Sequence, residues 1–414
     1  MLTLFYDCYR ILTSVYSGGA FVKQAMNDTP IEEKNRAHVT KICYGVLDKD
    51  VTLEYEMSLL CDKRPKQAVR IVLKIGMYSI KYLKTAVYAV TDNLVELIKK
   101  LGKGGIAGFV NSFLRRYSRL DYQLPSDEIK GLSIKYSYPE FAVKRLLSEY
   151  GRERAEGIMS ADEERTAVRF NKGVDGKAYL EERRWNYEQT PFANTFFVNG
   201  FKRTPDFNEG VYTFQSIGSI AICNVVDGGE NLLDACSAPG GKTVNLADRF
   251  SSVTAFELHP HRVELIKDYA RRMKKDNVTA IQKDSSAYDE EFNEKFDAVL
   301  CDCPCSGYGV IKDNPDIKLR RTEEDINSLN QIQYGILSVC SKYVKKGGSL
   351  YYSTCSVFKS ENEDICGKFL KLNPDFEEVE ISSPLAHERM QRGIGFLPDT
   401  SFGAGFFICK FIRK

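Results

Sequence analysis

The stretch Asn231-Leu232-Leu233-Asp234-Ala235-Cys236-Ser237-Ala238-Pro239-Gly240-Gly241-Lys242-Thr243 passes from an apolar, strand-like run at 231–236 into a glycine turn. Glycines set between a strand and a helix let the backbone approach a ligand at the helix N-terminus. Two cofactor classes use such a turn. A phosphate-binding P-loop follows G-x-x-x-x-G-K-[ST], which here demands glycine at position 236. Cys236 stands there, so Gly241-Lys242-Thr243 does not close a P-loop. A nucleoside pocket also predicts an acidic residue at the end of the second strand, placed to accept both ribose hydroxyls. Glu257 ends the run 253–257, and Asp284 ends the third, where a carboxylate can accept from an adenine amino group.

Outward from this turn, strand-like runs at 231–236, 253–257, 278–282, 296–302, 348–353 and 404–412 alternate with helical stretches. That order predicts a doubly wound, Rossmann-like α/β domain over 211–414. Residues 1–125 read as helical. Val69, Val72, Leu73, Gly76, Ile80 and Leu83 keep a three-and-four spacing, as do Phe109, Val110, Phe113, Leu114, Tyr117 and Leu120. Breaks fall at Ser17-Gly18-Gly19, Asp28-Thr29-Pro30 and Gly102-Lys103-Gly104-Gly105. Between the two lies 126–210, read as linker helices and a small α/β subdomain, RRM-like in one version. Ser126 or Asp127 can cap its first helix, an amphipathic segment at 140–150 ends at Gly151, and 166–170 is strand-like.

The 414 residues exceed one ordinary core, and the composition is that of a globular protein. No apolar run of about 18 residues exists, so no membrane span is expected. MLTLFYDCYR lacks the basic and long apolar regions of a secretory signal, which predicts a cytoplasmic protein. Twelve cysteines without one C-x-x-C pair predict no metal site and a reducing compartment. Residues 1–125 carry a net charge of +7 and the remainder −5. A basic helical module joined to a slightly acidic enzyme fits RNA as the partner. Candidate phosphate contacts are Arg115, Arg116 and Arg119, with Arg271, Arg272, Lys274 and Lys275.

The fourth run ends in Asp302-Cys303-Pro304-Cys305 and the fifth in Ser353-Thr354-Cys355. Cys301 and Cys303 share one strand face with Val299 and are read as packing. Cys305 and Cys355 lie past their strands, at the rim of the expected pocket. Two thiols there suit covalent activation of a pyrimidine. A thiolate adding to C6 of cytosine makes C5 able to attack a sulfonium methyl group. An acid such as Asp302, bonded to N3, stabilises the charge that develops. Chemistry alone leaves open which cysteine attacks and which assists release.

DACSAPGGKT (234–243), DCPCSGYGVIKDNPDI (302–317) and YSTCS (352–356), with Glu361-Asn362-Glu363, resemble the RNA 5-methylcytosine methyltransferase family. YGVLDKDVTLEYEM (44–57), IVLKIGMYSIKYL (71–83) and FVNSFLRRY (109–117) are similar to the NusB-like domain of its RsmB-type members. The resemblance implies S-adenosyl-L-methionine as donor and a cytosine of small-subunit (16S) ribosomal RNA as acceptor. By motif, Cys236, Ser237, Ala238, Pro239, Gly240, Gly241, Lys242, Glu257, Asp284 and Asp302 would contact the cofactor, and Asp302 could face the base as well. Cys355 would be the nucleophile and Cys305 the residue assisting release. The base must be unpaired or flipped, because C6 is inaccessible in a stack, so naked or partly assembled rRNA is the expected substrate and a monomer the expected form. A tRNA substrate, or an inactive RNA-binding assembly protein, are the alternatives.

Overall fold

The computed structural model describes residues 1–161 and 165–414. Two units divide the chain, residues 1–159 with 311–321, and residues 160–310 with 322–414. The segment 126–210 falls on both, and residues 162–164 within it lie outside the described residues.

The first unit is helical, with α1 (Leu2–Gly18), α2 (Val22–Asp28), α3 (Glu33–Asp48), α4 (Asp50–Ser58), α5 (Gln67–Lys81), α6 (Val87–Lys100), α7 (Ala107–Tyr117), α8 (Glu128–Tyr136) and α9 (Glu140–Ser160). The first two breaks act as expected. Gly19 closes α1 in the left-handed region, and α2 stops at Asp28 before Thr29-Pro30. Asp127 caps α8, its carboxylate accepting from the Lys130 amide at 2.8 Å. The helix predicted to end at Gly151 instead resumes beyond it. Gly151 sits at φ 72°, ψ 172°, so α9 is two helical stretches about a kink.

Ile11, Leu12, Val72, Leu73, Leu94 and Leu114 are wholly buried in this unit's core. Phe109 departs from its predicted place on the apolar face of α7 and is 41% exposed. Periodicity assigns a side of the helix, not whether a neighbour covers it. The segment 311–321 packs into this same unit. The Lys318 ammonium is buried, donating to the Asp48 carbonyl at 2.6 Å and its carboxylate at 2.8 Å. Arg320 donates to the carbonyl of Gly19 at 2.6 Å, and Asp316 accepts from the Val22 amide at 3.2 Å.

In the second unit β1 (Ala167–Phe170), β2 (Tyr187–Gln189), β3 (Thr195–Val198) and β4 (Tyr212–Phe214) form an antiparallel sheet of order β2-β3-β1-β4. A nine-stranded sheet follows, from β5 (Gly229–Asp234), β6 (Phe250–Glu257), β7 (Val278–Gln282), β8 (Phe296–Asp302), β9 (Val344–Thr354), β10 (Phe376–Val379), β11 (Glu388–Arg389), β12 (Ile394–Phe396) and β13 (Phe406–Arg413). Its order is β11-β12-β13-β9-β8-β5-β6-β7, with β10 against β13. The strands β7-β6-β5-β8-β9 are parallel and β10 to β13 antiparallel, which gives the Rossmann-like architecture the alternation predicted. The run at 231–236 is displaced, since β5 ends at Asp234 and Cys236 belongs to the turn. Among the described residues no helix is long and apolar enough to cross a membrane.

Burial pushes the Lys318 ammonium down to about 8, against the attraction of Asp48, whose carboxyl is held well below its usual range. Asp48→Asn should therefore cost roughly 3–5 kcal/mol near neutral pH, because a buried cation loses its counter-charge. A lysine whose folded pKa lies below its unfolded value binds fewer protons when folded, so stability rises with pH through that window. Urea titrations from pH ~7 to ~9 should show the variant recovering part of its loss as Lys318 neutralises.

Candidate active site

Order reverses at β5, which has β6 on one side and β8 on the other, so a crevice opens at the carboxyl ends of these strands. Asp234 stands opposite Leu300, and Asp302 opposite Ser353. Parallel pairing thus brings the glycine turn, the Pro304-Cys305 loop and the Thr354-Cys355 loop to one edge. A cavity of about 370 Å³ lies there, lined by Cys236, Ala238, Glu257, Asp284, Asp302, Cys305 and Cys355.

The other predicted cofactor residues build the cradle rather than line it. The Ser237 hydroxyl turns inward and donates to the carbonyls of Asp234 at 2.7 Å and Phe256 at 3.1 Å. Gly240 has φ 104°, and a Cβ there would lie 3.3 Å from the Ile266 Cα. Gly241 begins the helix Gly241–Leu246, and Pro239 is exposed beside it. Lys242 reaches from that helix to Asp302, Nζ to Oδ2 at 2.6 Å, while the Ser353 hydroxyl donates to the other oxygen at 2.7 Å. Burial alone would lower the Lys242 pKa, but the Asp302 carboxylate reverses this and raises it.

Glu257 is 5% exposed, accepting from the His259 amide at 2.9 Å and lying 3.4 Å from Arg262. Arg262 also donates to the Ala238 carbonyl at 3.2 Å, tying the second strand end to the glycine turn. Sequence reasoning missed it, since its place in the first turn of the next helix, Pro260–Arg272, carries no motif. Asp284 is exposed and held below its ordinary pKa by the hydroxyl and amide of Ser286, at 2.7 and 2.8 Å. The buried Asp234 carboxyl accepts from the Thr243 hydroxyl at 2.7 Å, and its other oxygen has no partner. Burial, with Asp302 nearby, pushes it up to about 6.

The two sulfurs of Cys305 and Cys355 lie 3.2 Å apart, each half-buried. The Cys305 thiol is pushed well up by its hydrogen bond to Cys355 and by burial. Cys301 and Cys303 are buried among Val299, Leu233 and Leu350, as packing residues. Beneath the sulfur pair sits Glu361, fully buried. Its carboxylate accepts from the Ser306 amide at 2.7 Å, from the hydroxyls of Ser306 and Ser356, and from the Gln333 amide group at 3.1 Å. Gln333 also donates to the Pro304 carbonyl at 2.9 Å. Asn362 accepts from Thr354 and donates to the Ser356 carbonyl at 2.9 Å. A Cβ on Gly309 would lie 2.1 Å from the Gly405 carbonyl oxygen, and the Gly309 amide donates to the Cys355 carbonyl at 2.9 Å.

Two of the proposed phosphate contacts are engaged inside the chain. Arg272 donates to the Phe207 carbonyl at 2.8 Å and to the Thr213 hydroxyl at 3.0 Å, and Lys275 pairs with Asp248 and Asn171. Arg271 meets Asp268 at 2.7 Å, one helical turn away. Lys274, Arg115, Arg116 and Arg119 are exposed.

The sheet order, glycine turn and acidic strand ends define a Rossmann-like methyltransferase domain. Residues 222–412 match the family of 16S rRNA methyltransferase RsmB/F, and residues 9–119 match the NusB family. A probable ribosomal RNA small subunit methyltransferase B from Bacillus subtilis is 31% identical over 95% of this chain and 94% of its own. The ribosomal RNA small subunit methyltransferase B of Klebsiella pneumoniae is 28% identical over 93% and 91%. The crystal structure of a protein designated PH0851 shares the fold, with TM-score 0.83 at 23% identity over 100% of this chain and 98% of that one. The chain belongs to the RsmB/F family of ribosomal RNA small subunit methyltransferases. S-adenosylmethionine is the methyl donor of that family.

Two outcomes follow from the buried carboxylates. Glu361→Ala strips an acceptor from four buried donors and should cost roughly 2–4 kcal/mol in urea unfolding. Glu361→Gln keeps the volume and should cost less, while speeding iodoacetamide alkylation of the cysteine pair, because the carboxylate's charge helps push the Cys305 thiol up. For Asp234, the folded pKa of about 6 lies above the unfolded value, so the folded state binds more protons between the two and loses stability as pH rises through that window. Asp234→Asn should flatten this slope in thermal unfolding measured from pH ~4 to ~7.

Proposed function

We propose that the chain methylates C5 of an unpaired cytosine in small-subunit ribosomal RNA, and the observation that carries this is the Cys305–Cys355 pair at the rim of the nucleoside cavity. The cradle fits the donor: a glycine turn, an almost buried carboxylate at Glu257 for a ribose diol, and Asp284 at the third strand end for an amino group. Bound S-adenosylmethionine supplies an electrophilic methyl group. The Cys355 thiolate bonds to C6, which moves electron density to C5. Asp302, fixed by Lys242 and Ser353, faces N3, relays a proton to it from solvent as C6 is attacked and takes that proton back when the Cys355–C6 bond breaks. After C5 has gained the methyl group, its proton is taken, the Cys355–C6 bond breaks, and Cys355 leaves as thiolate.

The pair divides this work unequally. In this reading Cys305, whose thiol is pushed well up by its contact with Cys355 and by burial, keeps its proton and is the poorer nucleophile in the resting site. Once Cys355 is a thioether, the charge holding the Cys305 proton is gone. Cys305 can then lose its thiol proton to solvent and, as the thiolate, accept the C5 proton. NusB-type relatives and the basic charge of residues 1–125 support rRNA over tRNA as substrate.

Methylation of a small-subunit rRNA transcript, followed with labelled donor, tests the reading. Cys355→Ala should abolish transfer and leave no RNA–protein adduct on denaturing gels. Cys305→Ala should accumulate that adduct and slow turnover by a factor of about 10² or more. The opposite pattern would exchange the two roles, and transfer to tRNA alone would replace the substrate.

A further inference from the structure

An inner strand of the small antiparallel sheet, β1, has two unlike faces. Val168 and Phe170 pack into that sheet's own core with Tyr179, Leu180, Phe196 and Tyr212. Ala167 and Arg169 point the other way, and Ala167 joins the larger core with Ile217 and Leu246. Arg169 is 7% exposed, so a guanidinium stands where packing alone would ask for an apolar side chain. Burying that charge is costly and calls for partners.

Those partners lead to the glycine turn. Arg169 Nε donates to Gln215 Oε1 at 3.1 Å, Nη1 lies 3.6 Å from Asp248 Oδ2, and Nη2 is buried with no partner. The Gln215 oxygen also accepts from the Asn245 amide group at 3.0 Å. Gln215 Nε2 donates to the Gly241 carbonyl at 3.3 Å and to the Ser219 hydroxyl at 3.2 Å. Gly241, Asn245 and Asp248 succeed one another at four and three residues, so they lie along one face of helix Gly241–Leu246 and its exit. That helix has six residues and no side-chain cap at Gly240, too little to hold its own shape. Its first turn nonetheless carries Lys242, whose ammonium reaches Asp302 at 2.6 Å.

We infer that Arg169 is a positioning residue for the methyl-donor pocket: through Gln215 at one end and Asp248 at the other, it fixes the helix on which the glycine turn and Lys242 are set. The inference rests on the reading that this turn cradles the donor. It gives the small sheet a task in the reaction, through the face of β1 that its own core does not use. Position 215 must be an amide, because one atom accepts from Arg169 while the other donates to a carbonyl. A lysine at 169 would be a point charge without the fork that faces Gln215 and Asp248 together.

Calorimetric titration of the full chain with S-adenosylhomocysteine, well below each variant's Tm, tests the role. Hydrogen exchange of the amides of 241–246 in the ligand-free chain is measured beside it. Arg169→Met should weaken binding about tenfold, the worth of one hydrogen bond to a charged group, and speed that exchange. Gln215→Glu keeps an acceptor for Arg169 but sets a carboxylate oxygen against the Gly241 carbonyl. It should hold its Tm near wild type and still lose donor affinity. Phe170→Leu removes packing from the other face of β1, and should lower Tm while binding the ligand as wild type does. In steady state, Arg169→Met and Gln215→Glu should raise KM for the donor and leave KM for an RNA transcript unchanged. Wild-type affinity in both, a Phe170→Leu loss as large as theirs, or unchanged exchange of 241–246 overturns the role. Glu257→Ala separates it from the reading beneath. If Glu257→Ala alone loses affinity, the Arg169 role falls and the cradle stands. If it binds normally while Arg169→Met and Gln215→Glu do not, the ribose contact falls and the Arg169 role stands.

Discussion

Two loops leave the ends of β8 and β9 with nothing covalent between them, yet their cysteine sulfurs stop 3.2 Å apart. The buried Glu361 carboxylate is the constraint that holds them. Its oxygens accept from the residue after Cys305 and from the residue after Cys355, so one side chain fixes the separation of both thiols. A carboxylate in that position is costly without compensation. Four donors supply it, and none is a cation that would draw protons from the thiols by charge. The Gly309–Gly405 crossing adds a second tie, possible only because both residues lack a side chain.

The cofactor side of the cavity depends on the same sheet register. Asp302 and Ser353 are cross-strand partners, and Lys242 arrives from the helix after the glycine turn. One carboxylate therefore joins three consecutive structural pieces, with Lys242 on one oxygen and Ser353 on the other. Both contacts are donors to Asp302, so the orientation of its carboxylate is set before any ligand enters. Asp234 lies one strand over, with a buried oxygen that no group in the chain satisfies.

Much of this site was legible in the sequence because strand ends are local features. A run, a turn and a terminal carboxylate can be read within ten residues, and parallel pairing then places the ends side by side. Glu361 was visible only as part of a resemblance. Its partners are up to 55 residues away, and no local pattern says that a carboxylate folds back under two loops. Ser237 and Lys242 sat inside the recognised turn, but a motif does not say which side chains face the ligand and which brace the turn. Arg272 and Lys275 looked like free charge, because sequence shows the cation and not the carbonyl or carboxylate that occupies it. Phe109 failed in the other direction, since helical spacing tells which side a residue is on and not whether anything covers it.

The chemical difference between the two cysteines is likewise a property of the pair. Two thiolates 3.2 Å apart would repel, so one proton must stay on the couple while it is free. The proposed chemistry keeps that proton on Cys305, whose thiol is pushed well up first by its bond to Cys355 and then by burial. Under the proposed chemistry, forming the Cys355–C6 bond removes the first and larger of these. The acid of the resting site becomes the base of the adduct without any movement of the protein. A release step timed this way cannot run before the covalent bond exists, which protects the nucleophile from losing its hydrogen-bond donor too early. That ordering needs the sulfurs kept in contact throughout, and the Glu361 carboxylate is what keeps them there.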